Sequence, residues 1–139
     1  MSVLTYSPGA IALSVGGNII TGYADGEVIV VEREVDAMTK VVGADGEVTR
    51  VRSSNLSGSL TITLKQDSKS NKVLADLADL DEQDGSGITD VLLVDNLEYK
   101  TFAANGWVRK PPNRTYGTEL GNREWILDLD RIRFETPEA

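Results

Sequence analysis

The chain has 139 residues, 40% of them hydrophobic and 26% charged, a composition that suits a globular domain with a modest core. Its formal net charge is −8, and its 14 basic residues form no cluster beyond Arg109–Lys110 and Arg131–Arg133, which argues against a surface that grips nucleic acid. It has no cysteine and no histidine, so disulfides, thiolate chemistry, the commonest general base and the commonest zinc ligand are all excluded.

No apolar run is long enough to cross a bilayer. The opening "MSVLTYSPGAIALSV" lacks the basic segment of a signal peptide. Residues 1–139 are expected to form one domain, because no linker-like stretch interrupts them.

In chain order, Ile11, Leu13 and Val15 alternate with small residues, and Gly16-Gly17-Asn18 then turns the chain. A short run, Ile19–Tyr23, ends at Asp25-Gly26, where a hairpin turn is expected. Val28–Val35 reads as a strand whose second half becomes polar at Glu32, Arg33 and Glu34. Residues 36–55 break the rhythm: a polar stretch flanked by Val41-Val42 and Val48–Arg52 predicts an extended β-hairpin arm with Gly43–Gly46 at its tip. Ser57–Lys65 alternates cleanly. Leu60, Ile62 and Leu64 are assigned to the core, and Ser59, Thr61, Thr63 and Lys65 to a water-facing side.

The spacing of Val73, Leu74, Leu77 and Leu80 predicts a helix over 68–80, capped by Asp67, Ser68 or Ser70. Asp79, Asp81, Glu82 and Asp84 crowd its C-terminal end, where the helix dipole disfavours negative charge, so a stop near Leu80 is expected. Ile88–Val94 and Leu97–Ala103 flank Asp95-Asn96, read as a two-residue hairpin connection, and Asn105-Gly106 signals a second hairpin. Lys110-Pro111-Pro112-Asn113 must be a loop or a sheet edge. In Arg123–Glu135 the inward set is Trp125, Leu127 and Leu129, then Ile132 and Phe134, and this change of phase predicts a bulge near Asp130-Arg131.

The letters "ADGEV" occur twice, at Ala24–Val28 and Ala44–Val48. A calcium loop of the EF-hand kind fails at both. With Gly26 at loop position 6, positions 1 and 3 are Thr21 and Tyr23; with Gly46 there, position 12 is the cation Arg52. Neither Gly16-Gly17 nor Asp25-Gly26 is followed by a helix whose N-terminus could hold a phosphate. Asp128 and Asp130 share a strand face, but Arg123, Arg131 and Arg133 lie close by, so ion pairing is favoured over a catalytic carboxylate pair.

Three stretches carry a resemblance: "SPGAIALSV" at Ser7–Val15, "GSLTITLKQDSKSNKVLADL" at 58–77 and onward to Leu80, and "REWILDLDRI" at Arg123–Ile132. With the long polar arm between them, the chain resembles the tail tube proteins of bacteriophages with contractile tails. The resemblance implies a mainly β, sandwich- or barrel-like core with one flanking helix. It also implies six-membered rings stacked into a tube within the virion, made in the host cytoplasm, with no active site, cofactor or metal. Itself, the sheath, tape-measure, baseplate and tail-terminator proteins would be the partners, and genomic DNA would pass without specific binding. Six copies at −8 each give a ring charge of −48, which suits a conduit to which DNA must not stick.

On this reading Lys40, Val41, Val42, Asp45, Glu47, Arg50 and Arg52 of the arm touch another subunit. The cations among them meet Asp79, Asp81, Glu82 and Asp84 of the next ring, and Ser59, Thr61, Thr63 and Lys65 are the candidate lumen face. A secretion-system tube protein of the Hcp kind shares this architecture. A monomeric carbohydrate-binding sandwich would instead use exposed aromatics, for which Tyr99, Trp107 and Tyr116 are the candidates.

Overall fold

The computed structural model describes Val3, Thr5 and residues 11–136. Positions 7–10 of the Ser7–Val15 stretch therefore lie outside the described residues. Strands β1 (Ala12–Val15) and β2 (Asn18–Ile19) form a tight hairpin over Gly16-Gly17. Both glycines have positive φ, +59° and +84°, as a two-residue turn of this type requires. Next come β3 (Ile29–Arg33), β4 (Met38–Val42), β5 (Val48–Arg52), β6 (Gly58–Lys65) and the helix α1 (Ser70–Asp84). Strands β7 (Thr89–Val94), β8 (Lys100–Lys110), β9 (Asn122–Leu129) and β10 (Arg133–Glu135) complete the chain.

One antiparallel sheet runs in the order β2-β1-β7-β8-β9-β6-β3, with β10 added to β8. The sheet folds over on itself, so Leu13, Val15 and Val91 from one half share a core with Leu60, Ile62, Trp125 and Leu127 from the other. Leu74 and Ala78 of α1 join the same core. The result is sandwich-like and mainly β, and the strand order is open, with β2 and β3 at its ends. The chain itself ties those ends near α1: Ile20 donates to Leu13, and Lys65 donates to the Gly22 carbonyl. Between them the Thr21 N–H donates to Ser70 Oγ (2.8 Å), and Ser68 Oγ donates to the Thr21 carbonyl (2.6 Å).

Several local expectations change. The first "ADGEV" does not reverse the chain. Tyr23 pairs with Leu64 and β3 pairs with the earlier part of β6, so both flanks run the same way along one strand. The Thr63 peptide takes a hydrogen bond from Ala24 N–H and gives one to Val28. Residues 24–27 bulge out between these two bonds, helped by Gly26 at φ +89°.

The helix continues past Leu80 to Asp84 and ends at Gly85 (φ +75°). Gly85 N–H bonds to the Asp81 carbonyl, and Asp81 Oδ1 accepts the Gly87 N–H at 2.7 Å. A glycine cap with its carbonyls satisfied outweighs a dipole penalty of a few tenths of a kcal/mol per acid. Leu80 is exposed, because the buried stripe runs through Ser70, Leu74 and Ala78.

Asn105-Gly106 makes no hairpin: both lie within the continuous β8. A Cβ on Gly106 would meet Leu129 Cδ2 at 2.7 Å, so close strand packing explains the glycine. Gly106 stands where β8 passes from β7 to β9, pairing with Thr89 on one side and Leu129 on the other. The β7–β8 connection is five residues long, 95–99, because Val94 pairs with Lys100. Asp95 Oδ1 accepts the N–H groups of Leu97 and Tyr99, and Glu98 takes φ +68°. At Asp130-Arg131 the chain breaks rather than bulges: β9 ends, Ile132 stays buried, and β10 pairs with the first half of β8. Phe134, expected inward, is exposed, and Arg33 lies over its ring at 5.3 Å.

Burial pushes the Tyr23 phenol up to about 12 from its ordinary 10.0, and its hydroxyl is buried without a partner. Between pH 10 and 12 the unfolded chain has released this proton while the folded chain holds it. The contribution is therefore present below pH 10 and is lost as pH rises towards 12. It amounts to about 1 kcal/mol after discounting for the ring's partial exposure. Tyr23→Phe is expected to flatten this fall in the urea midpoint between pH 10 and 12. At pH 7 the variant should be no less stable than the parent, since an unpaired buried hydroxyl is removed. Parallel pH profiles for the two proteins would sink this account.

Candidate functional site

β4 and β5 form a two-stranded sheet of their own, and every residue of both strands is exposed. The register pairs Met38 with Arg52, Thr39 with Val51, Lys40 with Arg50, Val41 with Thr49 and Val42 with Val48. Directly opposed residues share a face, and alternate pairs share the same face. One face of the arm therefore carries Lys40, Arg50 and Arg52 together, with Met38 at the base and Val42 and Val48 near the tip. The other face is neutral: Thr39, Val41, Thr49 and Val51. At the base, Thr39 and Val51 border a cleft shared with Glu34 and Asp36 of the body.

The second "ADGEV" does reverse the chain. Gly43 N–H bonds to the Glu47 carbonyl at 2.7 Å, and Gly46 sits at φ +87°. Asp45 Oδ1 accepts the Glu47 N–H at 3.1 Å, so Asp45 holds the turn while the Glu47 side chain projects. The arm cations take part in none of the three ion pairs among the described residues: Lys72–Asp76, Arg109–Asp128 and Arg133–Glu135.

The acids suggested as their partners cluster at the end of α1. Asp79, Glu82 and Asp84 are exposed there, with Asp84 accepting the Ser86 N–H, and Asp81 is engaged by Gly87. The proposed water-facing side of β6 is only partly wet. Lys65 is exposed and Thr61 and Thr63 are half-buried, but Ser59 is buried at 9% exposure. Ser59 lies in the cross-strand row Trp107–Asp128–Ser59–Glu32, where longer side chains shade its hydroxymethyl group.

Asp128 does not pair with Arg123, Arg131 or Arg133. Its partner is Arg109 of β8, whose Nη2 lies 2.6 Å from Asp128 Oδ1, and this contact raises the Arg109 pKa above its ordinary value. Asp130 Oδ2 accepts from Asn105. Arg133 pairs with Glu135. Arg123 points inward, in phase with Trp125, Leu127 and Leu129, and is itself buried. The alternation that placed those three inward holds for position 123 as well, and this was the missed signal. Among the described residues no group of three or more acidic side chains is set to hold a metal ion. Tyr99, Trp107 and Tyr116 fall on separate elements: the 95–99 loop, the middle of β8 and the 111–121 segment. Among the described residues no helix is long and apolar enough to cross a membrane.

This fold is shared with chains of contractile-injection-system sheath–tube and tube-terminator structures. Similar solved structures include the sheath/tube terminator of the PVC extracellular contractile injection system in its extended state (TM-score 0.67, 11% identity, 98% of this chain and 100% of that one). The PVC sheath–tube complex matches with TM-score 0.65 and 10% identity, covering 96% and 93% of the two chains. The tube-terminating cap of the anti-feeding prophage matches with TM-score 0.64 and 9% identity, covering 99% and 95%.

The chain belongs to the bacteriophage PhiTE tail tube protein family, whose model matches residues 5–135. It is also 27% identical over 140 residues to the structural protein ORF10 of Pseudomonas phage KPP10, covering 94% of this chain and 81% of that one. It is thus a phage tail tube protein by family, and that family is a structural one.

Proposed function

We propose that this chain, folded as a single domain, assembles into six-membered rings that stack into the tube of a contractile phage tail, through which DNA leaves the capsid. The observation that carries the reading is the arm. It exposes Met38, Val41, Val42, Val48 and Val51 at 45–57%, a pattern with no purpose in a monomer but suited to burial on a neighbour.

Lys40, Arg50 and Arg52 then meet Asp79, Asp81, Glu82 and Asp84 of the next ring, bringing opposite charges together. The exposed edge of β3 and the short β2 at the other end of the sheet suit edge-to-edge ring closure. The net charge of −8 favours a lumen to which DNA does not adhere, with Thr61, Thr63 and Lys65 as candidate lining. The fold neighbours support sheath and terminator proteins as partners, and on this reading tape-measure and baseplate proteins are partners as well. The chain would be made in the host cytoplasm and act in the virion.

Negative-stain electron microscopy of the purified chain tests the proposal, with rings or tubes as the expected image. A monomer that persists at high concentration in both low and high salt would overturn it.

A further inference from the structure

Between α1 and the 111–114 segment lies a cleft of about 390 Å³, and the chemistry of its wall is unusual for this acidic chain. Lys72, Arg114 and Arg123 line it with one acid, Asp79, and Lys72 also pairs with Asp76 at 3.1 Å outside the cleft wall. Its other polar groups are mostly satisfied. Trp125 Nε1–H donates to Asn71 Oδ1 at 2.9 Å, Asn71 Nδ2 donates to the Lys65 carbonyl at 3.0 Å, and Gln66 Oε1 accepts the Gly121 N–H at 3.0 Å.

Arg123 is the exception. It is 9% exposed, its Nη1 is buried without an acceptor, and its only described contact is the Tyr116 ring at 5.7 Å. A buried guanidinium left unpaired is costly, and a carboxylate is the ligand that best matches its planar donors.

We propose that this cleft receives the Glu47 carboxylate from the arm tip of a neighbouring copy. The occupant rests on the stacked assembly proposed for this chain; the chemistry of the cleft does not. Glu47 is exposed, and its carboxylate takes part in no described hydrogen bond or ion pair. Spacing supports the match. From Arg52 to Glu47 is five strand residues, about 16 Å. From Glu82 back to Lys72 is ten helical residues, about 15 Å. An arm laid along α1 with its cations on Asp79–Asp84 is therefore long enough to bring its tip to Lys72, Arg114 and Arg123; Glu47, opposite Gly43, alternates onto the neutral side, so its carboxylate enters the cleft by wrapping round the arm tip. Two charge matches of opposite sign, one arm-length apart, fix both the direction and the register of docking.

The absence of native cysteine permits a clean test. Glu47→Cys and Lys72→Cys single variants are mixed, allowed to polymerise and treated with a short bismaleimide. A covalent heterodimer is expected only from the mixture. In parallel, Arg123→Gln should raise the concentration at which polymer appears at least tenfold, while its melting temperature does not fall. Glu47→Gln, at an exposed tip outside the core, should give the same rise and guards against a folding defect at position 123. Polymer that forms without the cross-link, at an unchanged threshold in Glu47→Gln, overturns this docking and leaves the tube intact. A parent chain that never polymerises overturns the tube and this occupant together.

Discussion

Replacing Thr39–Val51 with Asn-Gly is expected to leave a folded, soluble chain that no longer stacks. The graft is geometrically mild, because Met38 and Arg52 already face each other across the ladder and Ser53 N–H bonds to the Ala37 carbonyl at 2.9 Å. None of the buried residues of the core lies between 38 and 52, so the melting temperature of the unassembled chain should stay within a few degrees of the parent. The loss falls on assembly. Four valines, each about half exposed, would bury roughly 1 kcal/mol apiece on docking, or about 4 kcal/mol per arm before ordering costs. That corresponds to a rise of up to about a thousandfold in the concentration needed for polymer.

The two faces of the arm separate the contributions. Reversing Lys40 and Arg50 to Glu should weaken stacking most at low salt, because the cationic face acts through charge. Thr49→Ala and Val51→Ala on the neutral face should weaken it equally at all salt concentrations. Sedimentation of polymer against protein concentration reads each case. Tubes formed by the grafted chain at the parent threshold would exclude the arm from stacking.

The arm was legible because polarity, length and β-branched flanks agreed over twenty residues, and among the described residues its two strands pair only with each other. β6 was legible for a similar reason: strict alternation with Leu60, Ile62 and Leu64 inward leaves one register. Where local signals failed, a distant partner decided. Asn105-Gly106 looks like a turn, but the glycine answers the approach of Leu129 from β9 and Val91 from β7, which no short window contains.

The helix end was misjudged because a small dipole penalty was weighed and the Gly85 cap was not. The two copies of "ADGEV" show the same limit. At 44–48 the flanks pair with each other and the chain reverses. At 24–28 both flanks pair with β6, and the same letters make only an outward bulge. Arg123 could have been placed by its phase with Trp125, but a charge in that position is conventionally assigned to solvent. The cleft beside it depends on where α1 docks, and the sequence does not encode that locally.

Gly58→Ala is expected to destabilise the folded chain far more than alanine at a glycine with open space around it, such as Gly117. Gly58 opens β6 where three elements meet: it pairs with Leu129 of β9 and Arg33 of β3, and Ile132 packs above it. Its φ is not positive, so the constraint is space and not backbone conformation. An added Cβ would stand 2.1 Å from the Glu32 carbonyl oxygen, 2.5 Å from Ile132 Cδ1 and 2.9 Å from Arg33 Cα. The isoleucine can rotate, but two of the three obstacles are backbone, so β3 must move off β6. That movement loosens the Glu34 N–H to Ser57 carbonyl bond, together with the contact between Arg33 Nη2 and the Ile132 carbonyl at 3.0 Å.

Overpacking of this kind costs about 1–3 kcal/mol by itself. With the strand edge disturbed, about 3–4 kcal/mol is expected, or a fall of roughly 10 °C or more in melting temperature for a chain of this size. Because β3 leads directly into the arm, Gly58→Ala should also impair polymer formation below its melting temperature. Gly117→Ala is the matched control, since nothing lies within 4 Å of its Cβ position, and it should change stability by no more than about 0.5 kcal/mol. Calorimetry on the two variants decides the point. A Gly58→Ala melting temperature within 3 °C of the Gly117→Ala control, a margin of about 1 kcal/mol, would mean that β3 can yield freely and that it is not packed tightly against the start of β6.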